Sequence, residues 1–266
     1  MGFKDSLNKE RIVDILTNPK LVKRCIYLII AVFPTSILIG FLVAQFDLAG
    51  PGADLAGFNI VDNFISDMGS FRYTPVPKFL DDSCMITAFL MIPCMLYIKK
   101  VIDSADKEPG ARSRKILSNI AFITMFIGII GLWGLGFFSE DVSMALESTV
   151  WPGFYSHSFF AFYLFPFIAI GGFFIGLVFI LNYSLINELF GLELPKIITV
   201  LLGFVMMVLT PLFSAIFLIN WQITVIVPPS APFWEWMFLF SVLIWLFAIS
   251  LFSLNKIRSD LASKQI

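Results

Sequence analysis

Residues 157–181 read HSFFAFYLFPFIAIGGFFIGLVFIL, a run without a single Asp, Glu, Lys or Arg. A hydrocarbon slab of about 30 Å is crossed by roughly 20 helical residues. Backbone amides left unpaired in lipid are costly, so a segment of this kind spans as a helix. The same apolar character recurs at about 26–46, 82–102, 116–138, 197–219 and 234–254. The expected fold class is therefore all-α, a polytopic bundle of six transmembrane helices. One membrane-embedded domain covers 26–254, with tails at 1–25 and 255–266.

Composition agrees with this reading. The chain of 266 residues is 58% hydrophobic and only 14% charged, with a mean hydropathy of +0.89, whereas soluble domains carry about 25% charged residues. No stretch between the apolar runs is long enough to bury a core of its own. A net charge of −1 offers no basic field for nucleic acid. Cys25, Cys84 and Cys94 fall in or beside apolar runs, where a thiol acts as a small apolar side chain. With no Cys-x-x-Cys pair and one histidine, no metal site or cofactor is expected. The first run follows a charged stretch and lacks a small-residue cleavage site, so it reads as a retained helix rather than a signal peptide. The start Met1-Gly2-Phe3-Lys4-Asp5-Ser6 has the form of a myristoylation signal, and a pattern this short is read as chance.

Of the 18 basic residues only Arg72 and Lys78 fall in the odd-numbered connections, so the positive-inside rule places both chain ends in the cytoplasm and those connections outside. Asp47, Asp54, Asp62, Asp67, Asp81, Asp82, Glu140, Asp141, Glu147 and Glu235 make the outer end acidic. Trp151, Tyr155, Trp221, Trp234 and Trp236 near that boundary read as an aromatic belt at headgroup depth. Residues 6–18 read as a short amphipathic helix on the inner surface, ended by Pro19. Pro34, Pro93, Pro166 and Pro211 inside four spans are expected to kink them.

Chemistry concentrates at the outer end. The connection from Asp47 to Lys78 is long enough to be functional. It contains Ser66-Asp67-Met68-Gly69, which reads as a turn with a carboxylate accepting nearby amides and Gly69 supplying positive φ. Asp81 or Asp82 reads as a helix N-cap. Gly131 and Gly134, after Gly128, make a smooth face for close helix packing. Beyond them Glu140 and Asp141 either bind a cation or lie solvated. His157 opens the fourth span and needs a polar partner in an apolar setting. Glu235 sits between Trp234 and Trp236 at membrane depth, where an ionisable group is a functional-site candidate.

The segment Ile65-Ser66-Asp67-x-Gly69, the glycine-rich third span with its acidic exit, His157 heading the fourth span and Glu235-Trp236 opening the sixth resemble, in this order, the FRAG/DRAM/SFK superfamily. A related prokaryotic and archaeal family of unknown function shares the glycine-rich acidic segment and the histidine. The resemblance runs over about 26–254. It implies a six-helix protein of lipid handling, with Asp67, Gly69, His157, Glu235 and Trp236 as the recurring residues. After Gly69 the chain departs from the pattern: Phe71-Arg72-Tyr73 stand where paired prolines are expected.

Three functions are left standing. The first is a lipid-binding, sensing or membrane-organising protein with an outer cleft of ligand-binding residues Asp67, Arg72, Asp82, Glu140, His157 and Glu235. Ser66, Gly69, Gly131, Gly134 and Trp236 frame that cleft. The second is a lipid hydrolase or transferase with His157 as base, oriented by Asp67 or Glu235, although no Gly-x-Ser-x-Gly elbow is present. The third is a small-solute transporter, for which mid-membrane polar residues are wanting. The partners implied are membrane lipids and a soluble protein at the basic inner face, with no nucleic acid.

Overall fold

The computed structural model describes residues 3–46, 57–147, 156–193, 195–223 and 228–263. Asp47, Asp54, Trp151, Tyr155 and Lys264 lie outside the described residues, as does the side chain of Glu147. Among the described residues the secondary structure is helical, without strands.

Helix α1, Phe3–Leu16, ends three residues before Pro19, and Pro19 opens α2, Pro19–Phe46, rather than merely closing α1. The Asn18 side chain accepts the Lys20 amide at 2.9 Å, and proline at the first helical position gives up an N–H that had no partner there. Ile12, Val13 and Ile15 of α1 stay exposed. Its far end is tethered by Lys100 Nζ, 3.2 Å from both Asp14 Oδ1 and Thr17 Oγ1.

The remaining elements are α3 (Lys78–Asp103), α4 (Ala111–Phe137), α5 (Glu140–Glu147), α6 (His157–Leu181), α7 (Tyr183–Leu189), α8 (Lys196–Phe204), α9 (Thr210–Ile223) and α10 (Ala231–Ala262). Six helices are long and apolar enough to cross a membrane, with α8 and α9 forming one of them. Helix α10 is longer than the apolar run alone: it continues through the expected tail, held to α3 by Tyr97 Oη donating to Asp260 at 3.0 Å.

Each span packs on its successor and α10 closes against α2, so the six form a ring. The most extensive seam is α4 on α6, and its cause is glycine. A Cβ at Gly131 would lie 2.5 Å from the Leu164 nitrogen, and one at Gly134 would lie 1.9 Å from the Phe160 ring. The backbones therefore meet at a distance no larger residue permits. Between α8 and α9 the helix widens into a π-turn, Val205–Leu209, just before Pro211. Proline cannot continue the ladder, and the Val205 carbonyl accepts both the Thr210 amide of the π-turn and the Thr210 hydroxyl, at 3.2 Å.

Candidate functional site

At the end of the ring that carries the long connection, the loop is laid across α10 by a short set of bonds. Glu235 Oε2 accepts the Ile65 amide at 2.7 Å and Trp236 Nε1 donates to the Asn63 carbonyl at 3.0 Å. Ser230, which caps α10, also donates to the Val61 carbonyl. Trp236 is buried, so it is a loop anchor and not a member of an aromatic belt. Its neighbours explain this: the Phe41 ring meets it edge-on at 5.8 Å, placing it inside the bundle rather than on the rim.

The loop itself forms a 3₁₀ turn, Ser66–Gly69. Asp67 Oδ2 reaches back to accept the Phe64 amide at 2.8 Å, as an acidic residue does in a capping box. Gly69 is not a positive-φ residue; among the described residues those are Gly57, Gly110 and Gly191. Its need is room, because a Cβ there would lie 2.7 Å from Asp81 Oδ1. Neither Asp81 nor Asp82 caps a helix, since α3 already begins at Lys78 with Pro77 in the capping position. A third clamp comes from Asp141, which accepts Ser70 Oγ at 2.8 Å and the Phe71 amide at 2.9 Å. Asp141, half-buried, is thus a loop fastener.

Beneath the tied loop lies a cavity of about 180 Å³. Phe33, Ile37, Leu132, Phe165, Phe217 and Phe238 make its apolar wall, and Asp81, Glu140, His157 and Glu235 are its ionisable lining. Ser66 and Ser158 also face it, whereas among the described residues no Lys or Arg does. Glycine on α4 matters here as well: Gly136 lets the Asp81 carbonyl approach to where a Cβ would be 2.3 Å away, which draws α3 and its acid inward.

The structure brings together five of the residues expected to share a site and leaves two outside. Glu140, His157 and Glu235 line the cavity, Ser66 joins them, and Asp67 is buried directly behind, bonded to the same loop strand that Glu235 holds. His157 Nδ1 lies 3.2 Å from the Phe138 carbonyl and its amide donates to Ser143 Oγ at 2.8 Å, so helix α6 is anchored to the turn before α5. Asp82 is exposed, and Arg72 is exposed over the Tyr73 ring at 5.4 Å. Successive helical residues are turned by about 100°, so Asp81 follows Leu80 and Cys84 inward while Asp82 points away. No signal in the sequence separates the two, because Asp82 has apolar neighbours at i+3 and i+4, Met85 and Ile86, just as Asp81 has Cys84 and Met85.

Electrostatics at the mouth are one-sided. Burial, reinforced by the Glu140 carboxylate, pushes Asp67 up to about 7, against the stabilising Phe64 amide, the Asn63 side chain and the Arg72 charge. Glu140 is raised as well, by burial first and by adjacent Asp141 second. Three carboxyl groups and an imidazole around an apolar chamber favour a cationic or hydrogen-bonding head on an apolar body. Among the described residues no three His, Cys, Asp or Glu side chains are grouped to hold a metal ion. No family model, curated protein or solved structure matches this chain.

Proposed function

We propose that this integral membrane protein binds a lipid or related amphiphile in the loop-covered cavity, taking a cationic headgroup at Asp81, Glu140 and Glu235 and the upper part of its chain among the phenylalanines. The observation that carries this reading is the division of one cavity into an acidic mouth, without any Lys or Arg among the described residues, and an aromatic wall. Carboxylates meet an ammonium group by charge-assisted bonds, and Phe and Trp faces add cation–π attraction. The charge asymmetry of the chain supports an orientation with both ends in the cytoplasm, so the cavity would draw from the outer leaflet. The resemblance to a lipid-handling superfamily supports the same reading.

The test is to purify wild type and Ala161→Phe, which fills the cavity wall, and to identify co-purifying lipids by extraction and mass spectrometry. Wild type is expected to retain an amine-headed lipid above its abundance in the membrane, and the filled variant, checked for folding by its Tm, to lose it. Equal lipid profiles overturn the reading. A second reading, hydrolysis or transfer, draws on His157 in the same cavity wall as three carboxyl side chains. It requires that His157→Ala accumulate an uncleaved lipid while binding persists.

A further inference from the structure

A second cavity of about 60 Å³ lies nearer the chain termini, enclosed by α2, α3, α4, α6 and α10. Its wall is apolar and soft, with Met91, Met95, Met125 and Cys94 facing Ile26, Ile29 and Ile249. Thioether side chains adapt to ligands of irregular shape.

Two polar groups lining this cavity have no hydrogen-bond partner: Trp245 Nε1 and Ser253 Oγ. Trp245 is 3% exposed and Ser253 is 1% exposed. A buried indole N–H ordinarily finds an acceptor, and a buried polar atom left alone is costly. Both side chains belong to α10, two helical turns apart along its inward side. Ser118 is not free in the same way, since its hydroxyl donates to Asp103 Oδ1 at 3.0 Å. The single charge in the wall, Lys99, is neutralised by Asp103. The cavity therefore offers an N–H and a hydroxyl with no net charge.

We infer that this cavity is a binding site for a neutral amphiphile with two polar groups, an ester carbonyl that accepts from Trp245 Nε1 and, further along the same helix, a hydroxyl that pairs with Ser253 Oγ. An indole N–H only donates, so the ligand supplies an acceptor. An anionic head has no unpaired cation to meet, and an ammonium head has no free carboxylate. The volume holds the polar groups and the first carbons of a chain, not a whole lipid. Ile26 and Ile29 of α2 and Leu246 and Ile249 of α10 stand on either side of the seam that closes the ring. A chain leaves through that seam into the leaflet nearer the termini. The ligand class differs from that of the loop-covered cavity, and the inference stands independently of it.

The experiment uses the full chain in detergent and two probes, 1-monooleoylglycerol and a long-chain primary amine, with binding followed by native mass spectrometry. Monooleoylglycerol is expected to bind saturably, and Trp245→Phe, which keeps most of the ring volume, to weaken it roughly fivefold to tenfold, the loss of one buried hydrogen bond. Ser253→Ala is expected to weaken it in the same direction, and amine binding is expected to be unchanged in both. Should Trp245→Phe not fold, Ser253→Ala decides alone. Absence of saturable monooleoylglycerol binding to wild type, or equal affinity in folded variants, overturns the inference and leaves a cavity occupied by water only. Failure of amine binding alone overturns the loop-cavity reading and leaves this one intact.

Discussion

The two ends of the bundle hold their connections by opposite chemistry. At the long-loop end, acids accept backbone amides: Glu235 from Ile65, Asp67 from Phe64 and Asp141 from Phe71. At the end near the termini, cations and amides donate to backbone carbonyls. Arg114 gives one Nη to the Ala105 carbonyl and the other, at 3.3 Å, to the Pro109 carbonyl and Asn182 Oδ1. Asn255 Nδ2 donates to the carbonyls of Phe190 and Gly191, at 2.9 and 2.6 Å. The charge bias that orients a membrane chain also decides which half of the peptide group its charged side chains tie down at each end. A carboxylate accepts and a guanidinium donates, so the charged clamps at the two ends take opposite halves of the peptide group, while Trp236 and Ser230 add donors to loop carbonyls at the long-loop end.

Arg114 gives the sharpest way to break this symmetry. It is 2% exposed and donates to three oxygens in two connections. Arg114→Ala is expected to lower stability by about 3 kcal/mol or more, since hydrogen bonds to a buried charge are the strong ones. Arg114→Lys should rescue little, because an ammonium lacks the planar fork. Thermal unfolding in detergent reads both, and a Lys variant equal to wild type would show that charge alone matters at this end.

Glu235→Ala comes next, at about 2 kcal/mol for an orphaned buried amide at Ile65. Glu235→Gln keeps an acceptor and should unfold close to wild type. A glutamine variant as unstable as alanine would mean that charge, not geometry, binds the loop.

Protonation distinguishes the ends further. Asp67 in the fold titrates near 7, above its ordinary value of 3.8, because burial disfavours its charge. Folding therefore favours the protonated acid: its contribution is full at pH below the ordinary carboxylate range and is lost as pH rises through about 7. Asp67→Asn retains an acceptor for Phe64 and is expected to flatten the fall in Tm across that window. A pH dependence left unchanged in the variant would assign it to other groups.

The smallest effects belong to residues outside the clamps. Asp82→Ala and Arg72→Ala, both at exposed positions, should each stay within about 0.5 kcal/mol. Thr87→Val is expected to be neutral or slightly stabilising, since Thr87 Oγ1 is buried without a partner and an isosteric apolar group removes that cost. A marked loss in Thr87→Val would reveal a hydroxyl contact formed in lipid.

Some of this was open to reading in one dimension. Span number, apolar boundaries and the acidic and basic ends follow from composition and length, because lipid imposes the same demand on every crossing residue. The start of α6 at His157 coincides with the apolar run, since Ser156 caps it by accepting the Phe159 amide at 3.2 Å. The run of glycines on the third span foretold a close neighbour but not which one, and the ring supplied α6.

Other features arise only when the chain is closed. Trp234 and Trp236 are indistinguishable by position in the sequence, yet Trp236 is buried at 2% while Trp234 remains partly exposed, because the two helical residues between their positions amount to about 200° of rotation, from the rim of the ring to its inside. Asp81 and Asp82 divide by a single residue of rotation, about 100°. Asp141 meets Ser70 across 71 residues, and Glu235 meets Ile65 across 170. Apolar length and charge bias are local sums that the sequence determines by itself. Which acid lines a cavity, which fastens a loop and which faces solvent depends on helix phase and on contacts between distant segments, and only the tertiary structure decides them.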